Sequence, residues 1–232
     1  MKAGIIILCR YSSSRLPGKI MKEIEGKPIL QYITESSQCI STASEVIIAT
    51  STDPSDDPIA AYCQVHNLSC YRGSLEDVLE RFVQAALHFR LDYAVRINGD
   101  NLFLDHRLAD EMINLALSHP FDLVTNVPGR TFPTGMSIEV LSVPFLASQN
   151  KNITSAYYRE HVTLYFYENA ENFRIFVVEN TQCPEAKGMQ LAIDTQKDFE
   201  LAKYIITQMD KPHHHYGLPD IYRLAQKRKD HG

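Results

Sequence analysis

Short runs of Ile, Val and Ala alternate along the chain with longer stretches whose apolar positions recur every three or four residues. That alternation predicts an α/β protein built on a mixed, mostly parallel sheet with helices on both faces. The first strand is expected over Ala3 to Cys9, where the unbroken GIIIL reads as a strand buried on both sides. A loop to Gly26 and Lys27 then leads to a helix from about Pro28 through Leu30, Ile33 and Cys39, since proline suits a first helical turn. A strand Glu45 to Thr50 and a polar loop precede a helix from Pro58 to about His66, with Asp56 and Asp57 as helix-start residues. Ser69 to Tyr71 form a short strand, after which Ser74 and Asp77 mark the start of a helix with the apolar face Val78, Leu79, Phe82, Ala86 and Phe89.

The next strand, Tyr93 to Ile97, ends at Asn98, Gly99 and Asp100. Beyond it the pattern predicts a helix over Arg107 to Leu117, strands Leu123 to Asn126 and Ser137 to Ser142, and a helix over Ser155 to Glu168. Strands Arg174 to Glu179 and Met189 to Ile193 follow, then helices Gln196 to Met209 and Leu218 to about Lys227. At 232 residues with 44% hydrophobic and 22% charged positions, the chain has material for one sizeable core and is expected to form a single domain over 1–232.

Composition removes several classes of function. No apolar run is long enough to span a bilayer, and MKAGIIILCRYSSSR lacks a small-residue cleavage site, so a soluble, cytoplasmic protein is expected. The cysteines Cys9, Cys39, Cys63, Cys70 and Cys183 are scattered without a CxxC pair, which suits a reducing compartment and buried, inert thiols. A net charge of -5 argues against a general nucleic-acid binder. Residues 1–30 are nevertheless basic, with Lys2, Arg10, Arg15, Lys19, Lys22 and Lys27 against Glu23 and Glu25, and a compact anion such as a phosphate suits that segment. His213, His214 and His215 point in different directions and read as a loop beside the last helix, not as a metal site.

The segment RYSSSRLPGK leaves the carboxyl end of the first strand, where open parallel sheets place their ligands. Ser13, Ser14 and their neighbours allow backbone N–H groups to turn inward as an anion nest, and Arg10, Arg15 and Lys19 bring charge to it; a solvated basic loop is the plain alternative. It matches neither a Walker A loop nor a G-x-G-x-x-G turn. Asp100 follows a buried strand and a glycine, and Asp194 holds the matching place after MQLAI. Asp194 also reads as a helix cap, but Thr195, with Asp198 three residues on, can fill that role and leave Asp194 free. Two carboxylates at strand ends beside a basic loop suit a magnesium-dependent reaction on a nucleoside triphosphate.

The run RYSSSRLPGKIMKEIEGKPIL resembles the N-terminal signature of the cytidylyltransferases that make CMP-activated sugars, including the 3-deoxy-manno-octulosonate and acylneuraminate enzymes. YRGSLEDVLERF, VRINGDNLFLD, YYREHVTLYFYEN and LAIDTQKDFELAK, in that order, are most similar to the spore-coat polysaccharide branch, so the resemblance spans about residues 3–225. It implies a nucleotide-diphospho-sugar transferase, Rossmann-like fold and attack of an acceptor oxygen on the α-phosphorus of CTP with loss of pyrophosphate. Arg10, Ser13, Ser14, Arg15 and Lys19 would then bind the triphosphate, with Asn98 and Gly99 beside it, and Asp100 and Asp194 would hold Mg2+. Arg15, Lys19 and Asp100 are the catalytic candidates. Arg72, Ser74 and Asp77 would lie by the cytosine and ribose, helix capping being the alternative for the last two. Residues 1–126 would be mainly nucleotide-binding, and 127–232 would carry the acceptor site, the second metal carboxylate and dimerisation elements.

Candidates for the acceptor, a sugar acid, are Thr134, Gly135, Glu139, Tyr158, Arg159, Glu160 and His161. On one helix, Tyr158 or Tyr157 would share a face with His161, and the planar fork of Arg159 suits a carboxylate or phosphate. A surface pair Arg159–Glu160 with a core-satisfied His161 is the structural alternative. The chain departs from its apparent branch at Gly99-Asp100-Asn101-Leu102-Phe103, where a small or polar residue and then proline are expected after the aspartate. The carboxylate is kept, and the adjoining pocket wall is expected to differ. The expected partners are CTP, a small sugar acceptor and a second copy of the chain, with no nucleic acid and no membrane. The rival readings are the same fold acting on a polyol phosphate, sugar phosphate or phosphonate, and a catalytically silent nucleotide-binding scaffold.

Overall fold

A computed structural model describes residues 1–13 and 15–230, without the side chains of 229 and 230. Along the chain run β1 (Ala3–Leu8), the small hairpin β2 (Glu23–Ile24) and β3 (Lys27–Pro28), α1 (Ile29–Gln38), β4 (Val46–Ser51), α2 (Asp57–Val65), β5 (Ser69–Gly73) and α3 (Val78–His88). They are followed by β6 (Tyr93–Asn98), α4 (His106–Ser118), β7 (Leu123–Thr125), β8 (Glu139–Ser142), α5 (Val143–Asn150), α6 (Ala156–Glu160), α7 (Leu164–Glu168), β9 (Ile175–Val177), α8 (Gln196–Thr207) and α9 (Leu218–Asp230).

The main sheet has the order β5-β4-β1-β6-β8-β7-β9. β1 lies between β4 and β6, parallel to both, with Ile5 opposite Val46 and Val95. Only β8 runs against its neighbours, which brings Glu139 opposite Arg96 on β6 and Thr125 on β7. Because successive strand residues face opposite sides, β1 feeds two cores. Ile5 and Ile7 pack with α1, α2, α4, α8 and α9, whereas Ile6 and Leu8 pack with α3, α5 and the residues around Val162 and Phe166. The parallel strands β1, β4 and β6 therefore end along one edge of the sheet, and the loops that leave them gather there.

Several elements differ from the sequence pattern. The helix expected over 155–168 is two short helices, because Val162 is fully buried with φ +25 and turns the chain between them. The strand expected at Met189 to Ile193 reduces to a single bridge between Thr134 and Gln190. Helix α5 starts on Pro144 in its first turn and was not visible in the pattern. Asp56 and Asp57 do stand at the start of α2, but the Asp56 side chain makes no cap hydrogen bond there; it is wholly buried and turned toward the β1 loop. Cys9, Cys63 and Cys183 are buried, but Cys39 and Cys70 are half-buried. The three histidines form a short turn in which His213 Nε2 lies 3.0 Å from Ser36 Oγ and 2.8 Å from Tyr32 O, so the turn packs on α1. No described helix is long and apolar enough to cross a membrane.

Candidate active site

The loop after β1 is folded by contacts that the sequence did not announce. Tyr11 N donates to Asp56 Oδ1 at 2.6 Å, and Asp56 Oδ2 accepts from Ser51 N at 2.9 Å and Ser51 Oγ at 2.5 Å. Burial works against the Asp56 charge, but these hydrogen bonds outweigh it and hold the carboxyl below its ordinary value. Gly18 N closes the loop on Tyr11 O at 3.0 Å. The far wall comes from β6, where Gly99 N meets Leu8 O at 2.9 Å. A β-carbon at position 99 would stand 2.6 Å from Cys9 Cβ, so only glycine lets β6 and the β1 loop approach this closely.

Between those walls lies a cleft of about 300 Å³, the meeting place of Arg10, Ser13, Arg15, Lys19, Asp100 and Asp194. Ser14 lies outside the described residues. Lys19 Nζ sits 3.5 Å from Asp100 Oδ2 and 3.2 Å from Asp194 Oδ1, and donates to Ile193 O at 2.6 Å. Arg15 reaches Asp194 Oδ1 at 2.9 Å while remaining 65% exposed. One ammonium thus stands between two carboxylates that are far apart in sequence. Burial pushes the Asp100 carboxyl above its ordinary value; Lys19 opposes this and the Asp194 charge adds to it. Asp194 is free to face the cleft because Thr195 and Asp198 form a complete capping box at the start of α8. Arg10 spans the mouth to Glu160 at 3.0 Å.

A second hollow of about 310 Å³ adjoins the first, and the two share Arg96, Asn98 and His161. Glu139, only 1% exposed, accepts from Arg96 Nη1 and from the Tyr167 hydroxyl. Burial and the Glu139 charge push the Tyr167 phenol up, so its proton stays on oxygen. Tyr157 stacks edge-on against His161 with ring centroids 4.9 Å apart, and Arg130 lines the hollow from a turn with φ +50. A larger hollow of about 580 Å³ lies against α8 and α9, and none of its lining residues belongs to a strand end.

Other expected site residues lie elsewhere. Arg72 spends its guanidinium on Ser51 O, Asp53 O and Asp57. Ser74 Oγ accepts from Asp77 N, and Asp77 caps α3 through Glu80 N while pairing with Arg159 at 2.5 Å. Arg159 also donates to Asn150 O and Ile153 O, which ties α6 to α3 and α5 and leaves its fork turned from both hollows. The Tyr158 hydroxyl donates to Glu168 at 2.6 Å, so it is Tyr157 that stands with His161. Thr134 and Gly135 hold the 189–192 segment by Thr134 N to Met189 O at 3.0 Å and Ala192 N to Thr134 O at 2.8 Å. Asn101, Leu102 and Phe103 are buried and line neither hollow; Asn101 Nδ2 instead donates to Ser137 O at 2.7 Å.

The pattern also passed over two arginines, Arg81, which is buried, and Arg96, which is half-buried. Arg81 sits on the apolar face of α3, lines the first cleft and donates to Ser74 O at 2.5 Å; burial lowers its pKa, and its Nε has no partner among the described residues. Arg96 stands between the buried Val95 and Ile97 of the strand YAVRIN. A cation inside an apolar face or strand is the signal that would have found both.

The cytidylyltransferase family profile matches residues 4–229. The chain is 30% identical over 208 residues to the spore coat polysaccharide biosynthesis protein SpsF of Bacillus subtilis, covering 85% of this chain and 83% of that protein. It is also similar to a solved cytidylyltransferase from Leptospira borgpetersenii, with 30% identity, 99% of this chain and 96% of the other covered, and a TM-score of 0.92. A CMP:2-keto-3-deoxy-manno-octonic acid synthetase solved with CTP shares the fold, with a TM-score of 0.69 at 21% identity over 90% of this chain and 99% of that one.

Proposed function

The chain belongs to the cytidylyltransferase family and is a nucleotidyltransferase, and from that premise we propose that it transfers CMP from CTP to a sugar acid, a 2-keto-3-deoxy sugar such as a nonulosonic acid or an octulosonate, for surface polysaccharide biosynthesis. The observation that carries this reading is the pair of hollows that meet at Arg96, Asn98 and His161. One is built for a polyanion and the other, with its hydroxyls, amide and guanidinium groups, for a polyol that bears an anionic group. The fold shared with a synthetase of 2-keto-3-deoxy-manno-octonic acid, and the relative named for spore coat polysaccharide, support the same class of acceptor.

In this reading Arg10, Ser13, Arg15 and Lys19 bind the triphosphate, whose charge their loop opposes. The nucleoside runs toward the Ser74 to Asp77 turn, which Arg81 joins to the floor of the cleft. Asp100 and Asp194 fit a divalent cation: they converge on one ammonium, and partial burial works against the Asp100 charge, which a cation would offset. Two carboxylates with phosphate oxygens and water suit Mg2+, which when bound would neutralise the phosphates. Lys19 in the cleft and Arg15 on its exposed rim would oppose the charge that develops on the departing pyrophosphate. Glu139 and His161 face the acceptor hollow. The homodimer implied by the resemblance belongs to this reading, and β9, the edge strand that carries the exposed Phe176 and Val177 on its two sides, offers an edge for it.

The test is thermal stability with CTP, UTP, ATP and GTP, each with and without Mg2+, because a ligand that binds the folded state raises its apparent stability. A rise selective for CTP, enhanced by Mg2+ and lost in Asp100→Ala and Asp194→Ala, is expected. A pyrophosphate-release screen over sugar acids and sugar phosphates follows. Release with a sugar phosphate or polyol phosphate alone would move the acceptor to that class, and CTP binding with no release from any acceptor would leave a silent scaffold.

A further inference from the structure

Arg96 is a charged side chain on a strand between two neighbours, a position that is unfavourable unless the charge is paired. Its cross-strand partner in the β6–β8 register is Glu139, which binds Arg96 through Oε2 and the Tyr167 hydroxyl through Oε1. The direction of the remaining bonds follows. A carboxylate only accepts, so Tyr167 must donate to Glu139, and Thr125 Oγ1, 2.8 Å away, must then donate to the Tyr167 oxygen. Val127 N completes the chain on Thr125 Oγ1 at 3.1 Å. Every member on the Glu139 side is satisfied, yet Arg96 Nε is buried with no partner among the described residues. Arg96 lines both the nucleotide cleft and the second hollow, so a guanidinium clamped through Nη1 and not fully paired by the protein stands where a ligand can offer it oxygen atoms.

Resting on the cytidylyl-transfer reading, we propose that Arg96 is a further catalytic residue: clamped by Glu139 and Tyr167, it donates hydrogen bonds to the transferring phosphoryl group where nucleotide and acceptor meet. In the step, the acceptor hydroxyl oxygen bonds to the α-phosphorus while the bond from that phosphorus to the bridging oxygen of the β-phosphate breaks. The electron pair leaves with pyrophosphate, and the hydroxyl proton passes to solvent water. Negative charge spreads over the equatorial oxygens as this happens, and donors already fixed in place meet it without reorganisation. Glu139 and Tyr167 are positioning residues: they set the plane of the guanidinium and touch neither reacting atom.

The experiment compares wild type with Arg96→Lys, which keeps the charge opposite Glu139 but loses the planar fork. Turnover is followed by pyrophosphate release from CTP with 3-deoxy-manno-octulosonate and acylneuraminate as acceptors, and CTP binding with Mg2+ by calorimetry. A fall in kcat of about 100-fold, the size expected for one lost transition-state donor, with CTP Kd within about 3-fold of wild type, is the expected result. A kcat within about 10-fold of wild type, or a loss matched by equally weakened CTP binding, overturns the role. If Arg96→Lys does not fold, Tyr167→Phe decides: a 3- to 10-fold lower kcat (roughly what a loosened donor costs) at unchanged CTP Kd supports the clamp, and unchanged kcat overturns it. Absence of wild-type turnover with either acceptor overturns the functional reading and takes this inference with it, whereas wild-type turnover with an unaffected Arg96→Lys overturns only the role of Arg96.

Discussion

Asp56 shows how one buried carboxylate organises a loop that it does not belong to. Its oxygens accept from Tyr11 N, Ser51 N and Ser51 Oγ, which joins the β1 loop to the end of β4. Hydrogen bonds to a charged acceptor contribute about 1.5–3 kcal/mol, so Asp56→Asn, which must present an N–H₂ group to one of these donors, should lose that much at pH 7 in urea unfolding. Because the folded-state pKa is depressed below 3.8, the wild-type advantage is fully present above that value and is lost as pH falls through the folded pKa. The stability curves of wild type and Asp56→Asn should therefore be separated at neutral pH and converge below about pH 4. A gap that does not narrow at all on acidification would show that the effect is shape rather than charge.

Among the elements, the start of α8 matters most to the site, because its capping box also fixes the residue before it. Asp198 Oδ2 accepts from Thr195 N at 2.8 Å and from Asp194 N at 3.2 Å, and Thr195 Oγ1 accepts from Asp198 N at 3.3 Å. Removing the hydroxyl in Thr195→Ala is expected to cost about 1 kcal/mol and to leave CTP-dependent stabilisation in place. Asp198→Ala releases the Asp194 backbone as well, so it should lose a similar stability and also weaken the thermal shift given by CTP with Mg2+. Equal shifts in the two variants would show that Asp194 is held by other contacts. The capping box was legible in the sequence because it is local, a Thr with an acidic residue three positions on. The break between α6 and α7 was not, because the 3.6-residue period runs straight through it and only the burial of Val162 in the second core imposes φ +25.

At the scale of the whole molecule, what the sequence disclosed divides by the distance over which each contact acts. The order of strands and helices as far as β8, the basic loop after β1 and the aspartates after β6 and before α8 were largely legible, since each is written in adjacent residues. The surroundings of the second hollow were less so. Arg159 and Asp77, 82 positions apart, satisfy each other, and the pairing of Arg96 with Glu139 depends on a strand register that no local pattern reveals. The placing of Asp194 beside Asp100 is of this second kind. No strand carries residues 189–194 to the cleft; the segment is held by Thr134 and by Ile193 N on Asp100 O at 3.3 Å. This contact is possible because Gly135, at φ +94, has no side chain: a β-carbon there would lie 2.2 Å from Ala192 N. Gly135→Ala must push the segment away and carry Asp194 with it. Gly188→Ala is the matched control, since Gly188 also has a positive φ, +79, but open space around it. Both variants should lose about 1 kcal/mol or more to backbone strain. Only Gly135→Ala is expected to lose the additional stabilisation that Mg2+ gives the CTP complex, because only there does the strain move a carboxylate. A retained Mg2+ effect in Gly135→Ala would mean that the cation is held without Asp194, and the second carboxylate would then have to be sought on another element.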